Sequence, residues 1–345
     1  MVRVALRPKV FWQSVNLLTL YLVQKNGIIE PKRTKKIASS LKIEPRELNV
    51  ALVAFGVDNR LSFVLSRLEE STRSLNCAVL ISVQGSRREF KQVLDEVIRV
   101  NLSTTEGRTV ILRKARKRIG LIRHWNIARE LVERLNPDNE FFCWMSDHDY
   151  FENLALVKAV SELKFRPDVA AVIPPVKWEE SNGHLLSVSP KHHIAQDMNT
   201  FRKNLGPFTP GNSIFGVFRS GIIREVGPFC KVLAPDRLWI FQVALFGPIV
   251  SFQDSADSSW VRYVGVRMPS ENINYQNKTL FGTSLFSRII NSIIAWQKIH
   301  AALLSSYTKS VKGIQSAIIE EALKETSWQI ERLRLKTNAT QTSKR

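Results

Sequence analysis

Two carboxylates one residue apart, Asp147 and Asp149, end an apolar run in the segment Phe-Phe-Cys-Trp-Met-Ser-Asp-His-Asp-Tyr-Phe, residues 141–151. In an extended strand, residues i and i+2 point to the same side. At the end of a buried strand both carboxylates can therefore face one small hard cation. Such a pair leaves most coordination positions open to water and phosphate oxygens, the way Mg2+ is usually held. The pattern points to metal-assisted chemistry on a diphosphate, with Mg2+ or Mn2+ as the ion. The plainer reading is a solvated turn that caps a core strand. The five apolar residues before the pair and the aromatic pair after it favour the metal. His148 lies between the two acids, and strand alternation turns it away from them; it reads as a hydrogen-bonded structural residue.

Other residues carry weaker signals, and each has a bland counterpart. Trp178 and Trp239 offer aromatic faces to a sugar ring, or serve the core. His192 and His193 read as surface loop residues, with contact to a metal or a phosphorylated acceptor as the alternative. The basic run Arg113, Lys114, Arg116, Lys117, Arg118, with Arg123 beyond it, holds a diphosphate or an anionic acceptor, or is simply a solvated face. Near the N-terminus, TKKIASSLKIEPREL is like the first helix and turn of a helix-turn-helix. That motif needs a second helix for the major groove, and the strand-like NVALVAF follows with no room for one.

These residues must be positioned by a fold, and hydrophobic periodicity describes it. Segments 49–56 (NVALVAFG), 77–83 (CAVLISV), 109–112, 140–146 and 169–174 read as buried strands. Between them, residues 60–74, 88–101, 122–135 and 153–164 carry apolar residues at helical spacing. Strands of near-continuous apolar character alternating with helices predict an α/β fold, a mostly parallel sheet covered by helices on both faces. Ligands of such sheets bind beyond the carboxyl ends of the strands, where Gly56, Gly85 and Asp147 fall. Residues 175–212, rich in Pro, Asn, His and Lys, read as a loop-built wall around a second substrate. A strand and short helix follow in 213–229, then a helix over 238–246.

The expected domains are a basic helical extension over 1–48, a catalytic domain over 49–265, amphipathic helices within 266–335 and a disordered tail, 336–345. The 345 residues carry a net charge of +19, which calls for an anionic partner: nucleic acid, an anionic membrane face or a phosphorylated substrate. Ten Lys and Arg stand against three Glu in residues 1–48. Three cysteines, Cys77, Cys143 and Cys230, lie far apart without metal-ligand spacing. They suit buried thiols in a reducing compartment, in which the Asn-x-Ser/Thr triplets at Asn101, Asn277 and Asn338 have no meaning. No apolar run is long enough to span a bilayer. The expected location is cytoplasmic. The apolar face of Leu285, Ile289, Ile290, Ile293, Ile294 and Trp296, with Arg288 and Lys298 beside it, adds a peripheral place at the inner face of a membrane. The same face equally suits packing on the domain or a dimer.

In order along the chain, VALVAFGVDNRLSFVLSRLEES, CAVLISVQGSRREF, GLIRHWNIARELV, FFCWMSDHDYF, GNSIFGVFRSGIIREVGPF and APDRLWIFQVALFG resemble the successive motifs of family 2 glycosyltransferases, whose nucleotide-sugar-binding fold is called GT-A. The resemblance covers about residues 49–250 and is one of pattern. It implies an inverting, metal-assisted transfer of a sugar from a nucleoside-diphosphate sugar to the hydroxyl of a glycan or lipid-linked acceptor, such as a growing cell-surface polysaccharide. It places Asp147 and Asp149 in the metal-binding Asp-x-Asp motif. It implies nucleotide-sugar contacts at Phe55, Gly56, Asn59, Gln84, Arg123, Asn126 and Asp147, and acceptor contacts at Trp178, Asn212 and Trp239. It makes Asp236 the catalytic base. The chain departs from the family at several points. Val83-Gln84 stand where an acid usually lies near the nucleobase, Phe55-Gly56 replace a proline, Trp125 replaces an arginine, and Pro235-Asp236 replace Glu-Asp. Asp236 also reads as a helix N-cap. Two rival functions remain at this stage, a non-catalytic partner subunit of the same fold and a basic nucleic-acid-binding protein. The second would set aromatics among its basic residues, whereas most aromatics here lie in apolar segments.

Overall fold

The computed structural model describes residues 19–24, 27–29, 45–54, 60–102, 107–115, 120–180, 182–186, 214–229, 235–244, 246–252 and 257–264, with isolated helical positions between 293 and 335. Four strands form the centre of the fold: β3 (Leu48–Ala54), β4 (Cys77–Gln84), β5 (Arg108–Ala115) and β6 (Phe141–Ser146). All pair in parallel in the order β6-β3-β4-β5. β3, β4 and β6 are buried along their whole length, as expected where helices cover both faces of a parallel sheet.

Alternation along each strand divides the core in two. Val50, Leu52 and Ala54 face one side with α1 (Leu61–Thr72), α2 (Arg87–Arg99) and α4 (Ala155–Phe165). Ala51 and Val53 face the other with α3 (Leu121–Leu135), α5 (Ser220–Val226) and α6 (Pro235–Ala244). Local signals fix where helices begin. Ser86 accepts the Glu89 amide while the Glu89 carboxylate accepts the Ser86 amide, a capping box that starts α2. Gly120, the N-cap of α3, has φ 73°, a backbone angle that costs glycine little.

The sheet continues on both sides. Beyond β6 lie β11 (Val217–Arg219, antiparallel), β8 (Ala171–Val172) and β12 (Ile249–Val250). Beyond β5 lie β1 (Thr19–Gln24) and β2 (Gly27–Ile29), for nine strands among the described residues. The helix expected throughout residues 1–48 is therefore not what residues 19–29 form. They make a hairpin whose β1 runs antiparallel to β5, Leu22 opposite Ile111. The segment TLYLVQ is rich in residues that suit strands, and the open edge of β5 supplies unpaired backbone groups. The α/β class and the mostly parallel sheet with helices on both faces agree with the sequence reading.

A second sheet was not expected. β7 (Tyr150–Phe151), β9 (Val176–Glu180), β10 (Leu185–Leu186) and β13 (Trp260–Val264) pair in the order β10-β9-β13-β7. Part of the region read as loop, 176–186, is thus a hairpin. The amphipathic helices expected within 266–335 lie largely outside the described residues, as does the tail 336–345. Among the described residues, no helix is long and apolar enough to cross a membrane. Cys77 and Cys143 are free and buried, and burial pushes the Cys77 thiol up to about 12.

Candidate functional site

β3 is the switch point of the sheet: the chain leaves it to build β4 and β5 on one side and returns to build β6 on the other. The crevice outside the carboxyl ends at such a point is where open α/β sheets bind ligands. β6 ends there at Ser146. The chain bends through Asp147, His148 and Asp149, then enters the second sheet as β7. The two acids therefore sit at the joint between the sheets.

Their environments differ. Asp149 is only 2% exposed. Its backbone amide donates to Ser146 Oγ (3.1 Å), and its Oδ1 accepts the Tyr263 amide of β13 at 2.9 Å. Burial pushes its carboxyl up; His148, the Tyr263 amide, Arg262 and Ser146 offset only part of that. Asp147 is more open to solvent and its Oδ1 meets His148 Nδ1 at 2.9 Å. The other ring nitrogen, Nε2, lies 3.7 Å from Asp149 Oδ2. His148 is thus not turned away: its ring stands between the two carboxylates. The alternation rule fails because the chain has left the strand at Ser146. Burial alone would push the imidazole down, but the carboxylates outweigh it and hold its pKa at about 9. The side chain is 49% exposed, so water screens part of that attraction.

Arg60, just before α1, ties this joint together. Its Nε donates to the His148 carbonyl at 2.7 Å, its Nη2 pairs with Glu179 of β9, and its guanidinium lies 3.8 Å from the ring centroid of Tyr263. Tyr150 meets Phe63 edge to face at 5.1 Å beside it. Trp178, the expected acceptor contact, is half-buried on β9, with the Arg262 guanidinium 5.3 Å from its ring centroid. The sequence reading missed Arg60, Glu179, Arg262 and Tyr263 as a group. Only the fold brings residues from α1, β9 and β13 to the bend after β6.

The remaining expected site residues divide. Phe55, Gly56, Asn59, Asn212, His192 and His193 lie outside the described residues. Gln84 ends β4 at the carboxyl edge, 8% exposed, and its Oε1 has no hydrogen-bond partner among the described residues. Arg123 is half-buried in the first turn of α3. Asn126 spends its amide on both backbone groups of Phe229, accepting at 2.8 Å and donating at 2.9 Å; here it is a staple between segments. Trp239 is 1% exposed, its indole N–H donates to the Gly227 carbonyl, and its ring packs on Phe218 and Phe229. Both faces of this ring belong to the core, so the acceptor contact expected of it is not available in this structure. Asp236 lies half-buried in the first turn of α6.

Arg113 departs from the solvated-face alternative for the basic run. It faces inward from β5, 4% exposed, and its Nη1 donates to Ser82 Oγ at 2.6 Å. Ser82 Oγ in turn lies 2.7 Å from Nε2 of His124, which is fully buried. Burial, with Arg113 adding to it, pushes His124 down to about 3, so it is neutral.

No family model matches the chain, and no curated protein matches it in sequence. Among solved structures, the crystal structure of S. aureus TarS superposes with a TM-score of 0.46 at 14% sequence identity, over 83% of this chain and 50% of that one. This chain thus spans about half the length of TarS.

Proposed function

We propose that this chain is an inverting glycosyltransferase that moves a sugar from a nucleoside-diphosphate sugar to a hydroxyl of a glycan or lipid-linked acceptor, in cell-surface polysaccharide synthesis. The observation that carries the reading is the placement of Asp147 and Asp149 at the carboxyl end of β6, at the switch point of the sheet and against a second sheet. A donor diphosphate laid in that crevice would meet both acids.

The residues suit a divalent ion that arrives with its substrate. Among the described residues, no group of three or more His, Cys, Asp or Glu side chains forms a metal cage. Asp149 Oδ1 is taken by the Tyr263 amide, while Oδ2 faces the joint 3.7 Å from His148. Mg2+ and Mn2+ sites in phosphate-handling enzymes commonly use one or two carboxylates and let phosphate oxygens and water complete the shell. Asp149, aided by Asp147, would hold the ion here, and the ion when bound would offset the charge that grows on the departing diphosphate.

The protein's own residues do the rest. Arg60 and Tyr263 hold the bend in place through the His148 carbonyl and the Asp149 carboxylate. Trp178 offers the acceptor an aromatic face. Asp236 takes the proton from the attacking hydroxyl as its oxygen bonds to the anomeric carbon. The bond to the diphosphate breaks on the opposite side, and the nucleoside diphosphate leaves with the electron pair. A base in direct contact with the acceptor contributes about 10²–10⁴-fold in rate.

One observation favours a second reading, a non-catalytic nucleotide- or glycan-binding subunit: the His148 ring already stands between the two acids. Turnover separates the two. The chain is incubated with a panel of nucleoside-diphosphate sugars and candidate acceptors, and released nucleoside diphosphate is measured with and without Mn2+. Release that needs both Mn2+ and Asp149 supports transfer. Binding with no turnover across the panel supports the second reading.

A further inference from the structure

Buried arginines in this fold normally have oxygen partners. Arg108, on the same strand as Arg113, donates to the carbonyls of Leu102 and Glu69 and lies 3.6 Å from the Glu69 carboxylate. Arg129 donates to the carbonyls of Ile223 and Gly227 and faces Glu133 at 3.7 Å. Arg113 is at least as buried as either, yet among the described residues its one hydrogen-bond partner is the Ser82 hydroxyl, and its Nε has none. No carboxylate among the described residues pairs with it; burial is the one influence on its ionisation, pulling it down to about 10. It is therefore charged at neutral pH. A buried cation left without a counter-charge is destabilising, which is why apolar replacement of buried ion pairs is often neutral or stabilising.

Through Ser82 the Arg113 guanidinium is linked to His124, in the first turn of α3. That helix has fifteen residues, no side-chain cap at Gly120 and no acid in its first turn, where Arg123 lies instead. A helix N-terminus carries a partial positive charge and unpaired amides. Gln84, two residues beyond Ser82 and so on the same face of β4, has its Oε1 buried without a partner. Arg113 stands opposite Ser82 in the β4–β5 register, so its open Nε and the open Gln84 Oε1 belong to one face of the sheet, and a donor and an acceptor there suit an oxyanion that carries a proton of its own, as a hydrogen phosphate does.

We propose that Arg113, Gln84 and the N-terminus of α3 form a site for a phosphate-class oxyanion, free or carried on a substrate. β5 lies three strands from β6 in the sheet, about 14 Å at the usual strand spacing. That is farther than one diphosphate held by Asp147 and Asp149 reaches toward Arg113, although Gln84, on β4 and one strand nearer, is a position that the glycosyltransferase resemblance assigns to the nucleotide; the Arg113 response is expected to be independent of the two acids.

The test is thermal unfolding of the full chain in EDTA, with phosphate or pyrophosphate compared against chloride at equal ionic strength. Arg113→Met removes the charge and keeps most of the volume. In chloride its melting temperature is expected to equal or exceed that of the wild type, because the unpaired buried charge is gone. Phosphate raises every melting temperature through its exclusion from protein surfaces, so the readout is the excess rise of wild type over Arg113→Met. Asp149→Asn should keep that excess, which separates this site from the nucleotide crevice. Calorimetric titration of the wild type with pyrophosphate should saturate, and Arg113→Lys, which loses the bidentate fork, should bind about tenfold more weakly. Pyrophosphate and a nucleoside diphosphate that saturate equally would mark a free phosphate site. A much tighter nucleotide, still dependent on Arg113, would mark a phosphoryl group carried on a substrate. Equal responses of wild type and Arg113→Met, or no saturable binding, would overturn the proposal, as would an Arg113→Met chain that melts below the wild type with an unchanged phosphate response.

Discussion

His148 and His124 pull the pH dependence of stability in opposite directions. His148 is raised from 6.5 to about 9 in the folded chain. Its contribution is complete below pH 6.5 and is lost as pH rises toward 9. His124 is lowered from 6.5 to about 3. It is buried neutral, and below pH 6.5 the unfolded chain takes up a proton that the folded chain refuses, so stability falls as pH drops toward 3. Melting temperature measured against pH without divalent ions should flatten above 6.5 in His148→Gln, and below 6.5 should lie under the wild type with the same slope. A His148→Gln curve parallel to the wild type at high pH would remove the imidazolium from between the acids. At the same scale, Asp236→Asn should lower kcat by about 10²–10⁴-fold with little change in the KM for donor. Unchanged kcat would reduce Asp236 to a helix-start residue. The Asp pair itself was legible in the sequence because an apolar strand ending in acids is a local pattern. The His148 orientation was not, since alternation applies only while the chain stays extended, and here it bends after Ser146.

At the scale of elements, continuous apolar strands and helical periodicity were enough to place β3, β4, β6 and the helices between them. The short strands were not legible: β7 and β8 have two residues each, too few for a period, and their pairing depends on partners far along the chain. The Ser86-x-x-Glu89 capping box is a local device with a local cost. Ser86→Ala should destabilise the chain by about 1 kcal/mol in denaturant unfolding, without altering donor KM. Trp144 makes a different demand. It is fully buried in β6, its ring 4.9 Å from Trp125 and 4.7 Å from Phe142. Trp144→Ala should cost about 3–5 kcal/mol, because it opens a cavity directly beneath the strand that carries the acids. A loss under 1 kcal/mol would mean that the core around β6 can collapse onto the gap.

Taken as a whole molecule, the chain combines a net charge of +19 with a sheet whose carboxyl edge collects Arg60, Arg113, Arg123 and the two acids. Excess positive charge draws anionic substrates toward such an edge, while the acids give a divalent ion a place to sit among them. The charge was legible from composition. Its division between a crevice at β6 and a buried guanidinium on β5 was not, because strand order cannot be read from sequence spacing. The most direct measurement is a thermal-shift screen of nucleoside diphosphates with and without Mn2+, on the wild type and on Asp149→Asn. A ligand that binds the folded state must raise the melting temperature. The expected result is a rise with one or two nucleotides that needs Mn2+ and disappears in Asp149→Asn. A rise that is the same without Mn2+ and the same in the variant would contradict the assignment of the β6 acids.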